Sequence, residues 1–107
     1  MAEALEVHVT MPDADTARSI GRTLVGERLA ACVNVVPGVV SIYSWKGALQ
    51  EDQEVLCLIK TSPHRFEQLR ARVVELHPYD LPEVMAFAVD DGSRDYLDWV
   101  QATTTET

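Results

Sequence analysis

Two apolar stretches in the middle of the chain constrain its fold more than any other feature. The first covers residues 31–45 and the second, "VLCLIK", ends near Thr61, with the polar segment "KGALQEDQE" between them. In each stretch the residues that would face one side of a strand and those that would face the other are both apolar, as in strands that are buried on both faces. We therefore predict two long strands in a hairpin that turns near Gly47. Pro37 and Gly38 predict a bend or bulge in the first strand, because proline cannot complete a central ladder.

The length of this hairpin predicts that the chain does not act as a monomer. A straight strand of about 14 residues reaches roughly 46 Å, whereas a single domain of this size has a radius of gyration of about 13 Å. The hairpin must therefore bend, protrude or both. Its second apolar face also needs a cover. An oligomer in which the sheets pack inward follows from both observations.

The rest of the chain alternates strands and helices. The segment "ALEVHVT" has the period-2 pattern of a half-buried strand, and Asp13 after Pro12 offers a helix cap. Periodicity and breakers predict helices over residues 13–29, from Ser62 to the residue before Pro78 and over residues 94–100, and a strand over residues 83–89. The tail after residue 100 is expected to fray. This order predicts an α+β, ferredoxin-like β-α-β-β-α-β fold with an extra C-terminal helix and both long helices on one face of an antiparallel sheet.

Size and charge exclude several classes of function. A chain of 107 residues makes one domain, residues 1–107. Its 17 acidic and 9 basic side chains give a net charge of -8, which repels a phosphate backbone, so we expect no nucleic-acid partner. No apolar run is long enough to span a membrane or to act as a signal peptide. We therefore expect no membrane partner and a cytoplasmic location.

Neither the cysteines nor the serines indicate an enzyme. The predicted turn places Cys57 opposite position 38, about six residues or roughly 20 Å from Cys32, so we expect free thiols rather than a disulfide. Ser41 and Ser44 have no histidine and aspartate arranged around them, and a thiolate in an apolar strand is costly. A glycine-rich phosphate loop is also missing. We expect no enzymatic reaction and no organic cofactor.

Four motifs make the chain similar to a known family. They are "ERLAACVNVVPGVVSIYSWKG" at residues 27–47, "IKT" at 59–61, "HPYDLPEV" at 77–84 and "DYLDWV" at 95–100. Together they resemble the CutA family of divalent-ion tolerance proteins. The resemblance implies a ferredoxin-like subunit assembled as a tight homotrimer, PII-like in architecture. It also implies a role in tolerance of copper and other divalent metals, with no enzymatic reaction.

The resemblance further implies a metal site at the end of the second long helix. Copper ligands in the family have been placed at a cysteine in the first strand and at a pair of histidines just before the Pro-Tyr. Here Val9 occupies the first position and the pair reads Leu76-His77. We predict that His77 binds copper or another divalent cation, helped by Glu83 or by a residue of another subunit, because such metals need several ligands. The alternative is that His77 closes the helix by satisfying its free carbonyls.

A second set of candidate residues is predicted to line a cleft between subunits. Trp45, Lys60 and Tyr79, with Glu83, could hold a small ligand there, although packing of Trp45 against a neighbouring subunit explains that residue equally well. Lys60 would pair with an anion or with Glu83. The first hypothesis is therefore a homotrimer in divalent-metal homeostasis with weak or intersubunit cation binding. The alternative is a PII-like regulatory or scaffold trimer that binds a protein partner or small anion in the cleft.

Overall fold

The elements follow one another in the predicted order. The computed structural model describes residues 2–106, with strands β1 (Leu5–Met11), β2 (Cys32–Trp45), β3 (Ala48–Thr61) and β4 (Met85–Ala88). The helices are α1 (Ala14–Gly26), α2 (Phe66–Leu76), which a short 3-10 turn at Pro63–Arg65 precedes, and α3 (Arg94–Thr103). The strands form one antiparallel sheet in the order β2-β3-β1-β4. The predicted α+β class is thus confirmed.

Both ends of α1 have a local cause. The side chain of Asp13 accepts a hydrogen bond of 2.7 Å from the backbone N–H of Thr16, which is the predicted cap. The helix ends three residues earlier than predicted. Arg28 adopts a positive φ of 63°, and the N–H of Leu29 then donates to the carbonyl of Leu24 at 2.9 Å. This left-handed closure satisfies the last carbonyls and turns the chain toward β2.

The main core lies between one face of the sheet and the two longer helices. Its buried members include Val7, Val9, Met11, Cys57 and Ile59 from the strands, and Ala17, Ile20, Leu24, Leu69 and Val73 from α1 and α2. Because side chains alternate along a strand, Glu6, His8, Leu58 and Lys60 lie on the opposite face, which we call the open face. The two helices therefore share one side of the sheet, as predicted, and cover only that side.

A bulge divides β2 into two halves. Val36 pairs with Leu56, but the next pair is Val39 with Glu54, so Pro37 and Gly38 together oppose one residue of β3. Gly38 has a φ of +82°, a conformation that glycine adopts without strain. The predicted bulge is confirmed.

The hairpin itself closes through Lys46 and Gly47. Both have positive φ, 52° and 80°, and Trp45 pairs with Ala48 across them. Two such residues make the tight turn whose twist matches the flanking strands. Because this turn is tight and the bulge takes up an extra residue, Cys57 faces Val35 rather than position 38. Cys57 and Cys32 are nevertheless both free thiols, as predicted.

The distal half of the hairpin projects beyond the helices. The molecule measures 44 × 25 × 22 Å, and Ile42 and Leu49 are 65% and 80% exposed. The prediction that both strands are buried on both faces is therefore wrong for the single chain. Only the half next to α1 and α2 is covered, because the helices are too short to reach the hairpin's end.

The C-terminal end of the chain is more ordered than its composition suggests. Helix α3 continues to Thr103, and Thr104 is fully buried with its hydroxyl 2.5 Å from that of Ser62. Two expectations are wrong here: residues 101–104 do not fray, and the Ser62 hydroxyl bonds Thr104 instead of capping α2. The predicted fourth strand is also shorter, because only Met85–Ala88 pairs with β1.

Between residues 2 and 106 there is no helix with the length and apolar character needed to cross a membrane.

Candidate functional site

A cleft of about 700 Å³ lies between the projecting half of the hairpin and the loop that follows α2. Tyr43 and Trp45 of β2 line one wall, Glu54 of β3 lies between, and Tyr79 and Glu83 of the loop line the other wall. The structure thus brings together three residues that the sequence assigns to sites: Trp45, Tyr79 and Glu83. We call this the aromatic–acidic cleft.

The pairing register of the hairpin beyond the bulge in β2 determines which residues form the wall. Beyond it, Ser41 pairs with Asp52 and Val39 with Glu54, and residues that pair directly share a face of the sheet. Tyr43 and Trp45 follow Ser41 at intervals of two residues, so their side chains lie on the same face as that of Ser41. This register, which the turn at Lys46 and Gly47 sets, therefore places both aromatic side chains on the same face as the two carboxylates.

Two tyrosines of this region donate hydrogen bonds to carboxylates of β3. The hydroxyl of Tyr79 lies 2.8 Å from Oε2 of Glu54, and that of Tyr43 lies 2.5 Å from Oδ2 of Asp52. Burial, together with the bond to Glu54, raises the pKa of Tyr79. The bond to Asp52, together with burial, raises the pKa of Tyr43. Both phenols therefore keep their protons at neutral pH, and the negative charge stays on the carboxylates.

The aromatic–acidic cleft carries one sign of charge. Glu54, Asp80 and Glu83 line it, and no lysine, arginine or histidine does so within the described part of the chain. A low-dielectric cleft lined by one sign of charge concentrates ions of the opposite sign. Its field therefore favours a cation over an anion.

His77 lies behind the cleft and is only 7% exposed. Its Nε2 lies 2.8 Å from the carbonyl oxygen of Thr10, and its Nδ1 accepts from the backbone N–H of Tyr79 at 3.1 Å. A carbonyl only accepts and a backbone N–H only donates, so the neutral ring carries its proton on Nε2. Both nitrogens are thus engaged, and the imidazole joins β1 to the loop. His77 does close α2, but through its backbone N–H, which donates to the carbonyl of Val73 at 2.8 Å.

Lys60 lies away from the aromatic–acidic cleft. On the open face its ammonium is 3.9 Å from Oε1 of Glu6 and bonds the side-chain oxygen of Asn34. Within one chain Lys60 therefore pairs with Glu6 rather than with Glu83, because Cys32 and Glu6 are its cross-strand neighbours.

The described residues do not form a ready-made metal site, and the thiol of Cys57 is not activated as a nucleophile. Within residues 2–106 there is no group of three or more His, Cys, Asp or Glu side chains that could hold a metal ion. Burial raises the pKa of the Cys57 thiol to about 11, so this group stays protonated at neutral pH. A metal held through His77 would have to replace one of the two hydrogen bonds of its ring.

Sequence reasoning did not assign Glu54, Asp80 or Tyr43 to the site. Asp52 and Glu54 alternate within the polar segment between the apolar stretches, which places both carboxylates on one face of a strand. That alternation, seen beside Tyr43 and Trp45, is a signal that could have identified this wall. Asp80 gives no comparable signal, since only the folded loop carries it to the cleft.

Comparisons with known proteins agree with one another. The family model described as "CutA1 divalent ion tolerance protein" matches residues 5–103. The divalent-cation tolerance protein CutA of Thermus thermophilus is 52% identical over 98 residues, covering 92% of this chain and 95% of that protein. The CutA homolog of Danio rerio is 40% identical over 98 residues, which cover 92% of this chain but only 65% of that longer protein. The solved structure of the divalent cation tolerance protein (Cut A1) of T. thermophilus has a TM-score of 0.93, with 50% identity over 95% of this chain and 99% of that one.

Proposed function

This chain belongs to the CutA1 family of divalent ion tolerance proteins, and we propose that it acts in divalent-metal homeostasis by binding copper or another divalent cation weakly, or at a site shared between subunits. The family is named for tolerance of cations and not for a reaction. We accordingly assign no enzymatic activity and no organic cofactor.

The observation that carries this proposal is the charge of the aromatic–acidic cleft. Glu54, Asp80 and Glu83 line it without a basic side chain among the described residues. Carboxylate oxygens are ligands for hard and borderline divalent cations. A small anion would meet repulsion in the same place, which disfavours the anion-binding form of the alternative.

His77 and Glu83 are the proposed ligands. Copper and zinc accept imidazole together with carboxylate, and His77 is the first residue of the loop that carries Glu83 to the cleft. Releasing either hydrogen bond of the His77 ring costs free energy, so binding through this residue should be weak. A ligand from a second subunit would raise the affinity by completing the coordination.

We propose a homotrimer of single-domain, ferredoxin-like subunits, PII-like in architecture. The sheet order and the two helices on one face support the subunit fold. The apolar residues that the projecting hairpin exposes, Ile42 and Leu49, support self-association because burying them removes apolar surface from water. Light scattering near 36 kDa, for chains of 11.9 kDa, is expected, and a clean monomer would contradict the assembly.

The proposed location is the cytoplasm. Two free thiols suit a reducing compartment. Family membership does not fix the compartment, because relatives are named as chloroplastic and as periplasmic proteins. Cell fractionation with an antibody to the chain tests this assignment.

Calorimetric titration with copper(II) and with zinc tests the proposed function. Wild-type protein should bind at least one of the two ions saturably, and His77→Ala and Glu83→Gln should each weaken that binding. His64→Ala is the matched control, because His64 is exposed and does not line the cleft. If neither ion binds, or if His77→Ala binds as wild type does, the assignment of His77 is lost.

The second candidate function is a PII-like regulatory or scaffold trimer that binds a protein partner. The exposed side chains of Trp45, Tyr79 and Leu81 at the cleft favour it, since aromatic and apolar groups supply most of the binding energy of interfaces. Loss of metal binding together with a partner whose capture depends on Trp45 would favour this function over the first.

A further inference from the structure

Three aromatic side chains line the walls of the aromatic–acidic cleft beside its carboxylates. Tyr43, Trp45 and Tyr79 present ring surface to it, and all three are partly exposed. Ring faces offer a hydrated metal ion no ligand atom, whereas a large, weakly hydrated cation is attracted by the negative face of a ring. The cleft thus combines two features that suit an organic cation: ring faces and carboxylates.

The hydrogen bonds of the tyrosines strengthen this character. Each phenol donates to a carboxylate, Tyr79 to Glu54 and Tyr43 to Asp52. Donation to an anion shifts electron density toward the ring, and it also holds a full negative charge beside each ring. A cation in the cleft is therefore attracted both by the rings and by the carboxylates.

The chain already places a cation against one of these rings. The ammonium of Lys46 lies 5.8 Å from the centroid of the Trp45 ring, within the range of a cation–π contact. Lys46 sits at the exposed turn and does not line the cleft. It shows that the ring of Trp45 accepts an ammonium group as a neighbour.

We infer that the aromatic–acidic cleft binds an organic cation, an alkylated ammonium group, between the rings of Trp45 and Tyr79 with Glu54 and Glu83 supplying the charge. This inference shares with the proposed function the view of the cleft as a cation site, but it needs neither His77 nor a metal. A volume of about 700 Å³ leaves room for such a group and a substituent.

The test is an NMR titration of the full chain with tetramethylammonium chloride, which replaces sodium chloride at constant ionic strength. The indole N–H signal of Trp45 should shift saturably, while that of Trp99 should not. The neutral probe tert-butanol, which is similar in size, should give no saturable shift. Equal responses to the two probes, or no saturable response to tetramethylammonium, would overturn the inference.

Three variants locate the site. Trp45→Leu should weaken binding roughly 2- to 30-fold, the range of a cation–π contact. Trp99→Leu is its matched control, because Trp99 on α3 is 45% exposed against 37% for Trp45 and lies outside the cleft. Lys46→Asn removes a positive charge close to Trp45 and should therefore strengthen the binding of a cation, and asparagine tolerates the positive φ at this position. Binding to folded Trp45→Leu at wild-type strength, or weaker binding to Lys46→Asn, would contradict the site.

The two cation proposals can fail separately. If copper and zinc bind normally but tetramethylammonium does not, this inference is wrong and the proposed function stands. If tetramethylammonium binds and responds to Trp45→Leu while neither metal binds, the metal proposal is wrong and the organic cation remains. The metal variant His77→Ala should leave tetramethylammonium binding unchanged, provided that circular dichroism shows a native fold.

Discussion

The hydroxyl of Tyr79 lies 2.8 Å from Oε2 of Glu54 and fastens the loop after α2 to the middle of β3. Glu54 is only 8% exposed, so its carboxylate depends on such a donor. Tyr79→Phe should therefore lower the free energy of unfolding by about 1–3 kcal/mol, the cost of leaving a buried polar group without its partner. Urea unfolding at one fixed protein concentration measures it.

The matched control for this variant is Tyr43→Phe. Tyr43 makes the equivalent bond to Asp52, but both side chains are exposed and water can replace the lost donor. The loss should be clearly smaller than for Tyr79→Phe. Equal losses would show that the burial of Glu54 has no bearing on the strength of its bond.

The same bond predicts how stability changes in alkali. The pKa of Tyr79 is raised in the folded state above its ordinary value of 10.0, mainly by burial and then by Glu54. The protonated phenol is thus favoured by folding, so its contribution is complete below pH 10 and is lost as the pH rises beyond that value. The difference in unfolding free energy between wild type and Tyr79→Phe should shrink above pH 10. A difference that stays constant from pH 8 to about pH 11 would refute the assignment.

Glycine is required at the bulge. Gly38 has a φ of +82°, and a methyl group added at its Cα would meet nothing within 4 Å, so the cost of Gly38→Ala is purely that of the backbone. We expect a loss of about 1 kcal/mol. Gly26→Ala is the control, because Gly26 closes α1 with open space around it and no positive φ, and alanine should be neutral or stabilising there. In thermal unfolding, the midpoint temperature should fall for Gly38→Ala and should stay the same or rise for Gly26→Ala.

The C-terminal end is held by a buried pair of hydroxyls. The Thr104 hydroxyl donates to the carbonyl of Val100 at 2.8 Å, so at 2.5 Å it accepts from Ser62. Thr104→Val keeps the shape but leaves the Ser62 hydroxyl without an acceptor, which should cost about 1–3 kcal/mol in urea unfolding. Thr105→Val removes an exposed hydroxyl that bonds Ala102 and should cost little. Similar effects of the two variants would argue against the buried pair.

The order and type of the elements could be predicted because each depends on local pattern. Asp13 caps α1 through a neighbour three residues away, and Gly47 permits a turn that two adjacent residues complete. The ends of elements were less predictable where distant residues decide them. Ser62 meets Thr104 across 42 positions, and no local pattern reports such a contact.

The candidate site could be predicted only in part, for the same reason. Trp45, Tyr79 and Glu83 carry recognisable chemistry, and the fold does bring them to one cleft. Lys60 has the right chemistry but lies near the end of β3, beside Glu6 and away from Glu54. The hydrogen bonding of the His77 ring could not be predicted either, because it depends on the carbonyl of Thr10, which lies 67 positions away in the sequence.

The bulge at Pro37 and Gly38 also determines where the hairpin can change its length. Removing one residue there would let Val39 keep Glu54 as its partner in an uninterrupted ladder, so every aromatic side chain downstream would stay on its side of the sheet. One residue gained or lost between Val39 and Trp45 would instead turn the side chains beyond it to the opposite face and dismantle the wall of the cleft. Insertions and deletions in a lineage of such chains should therefore accumulate at this one point of β2 and be absent from the rest of the strand.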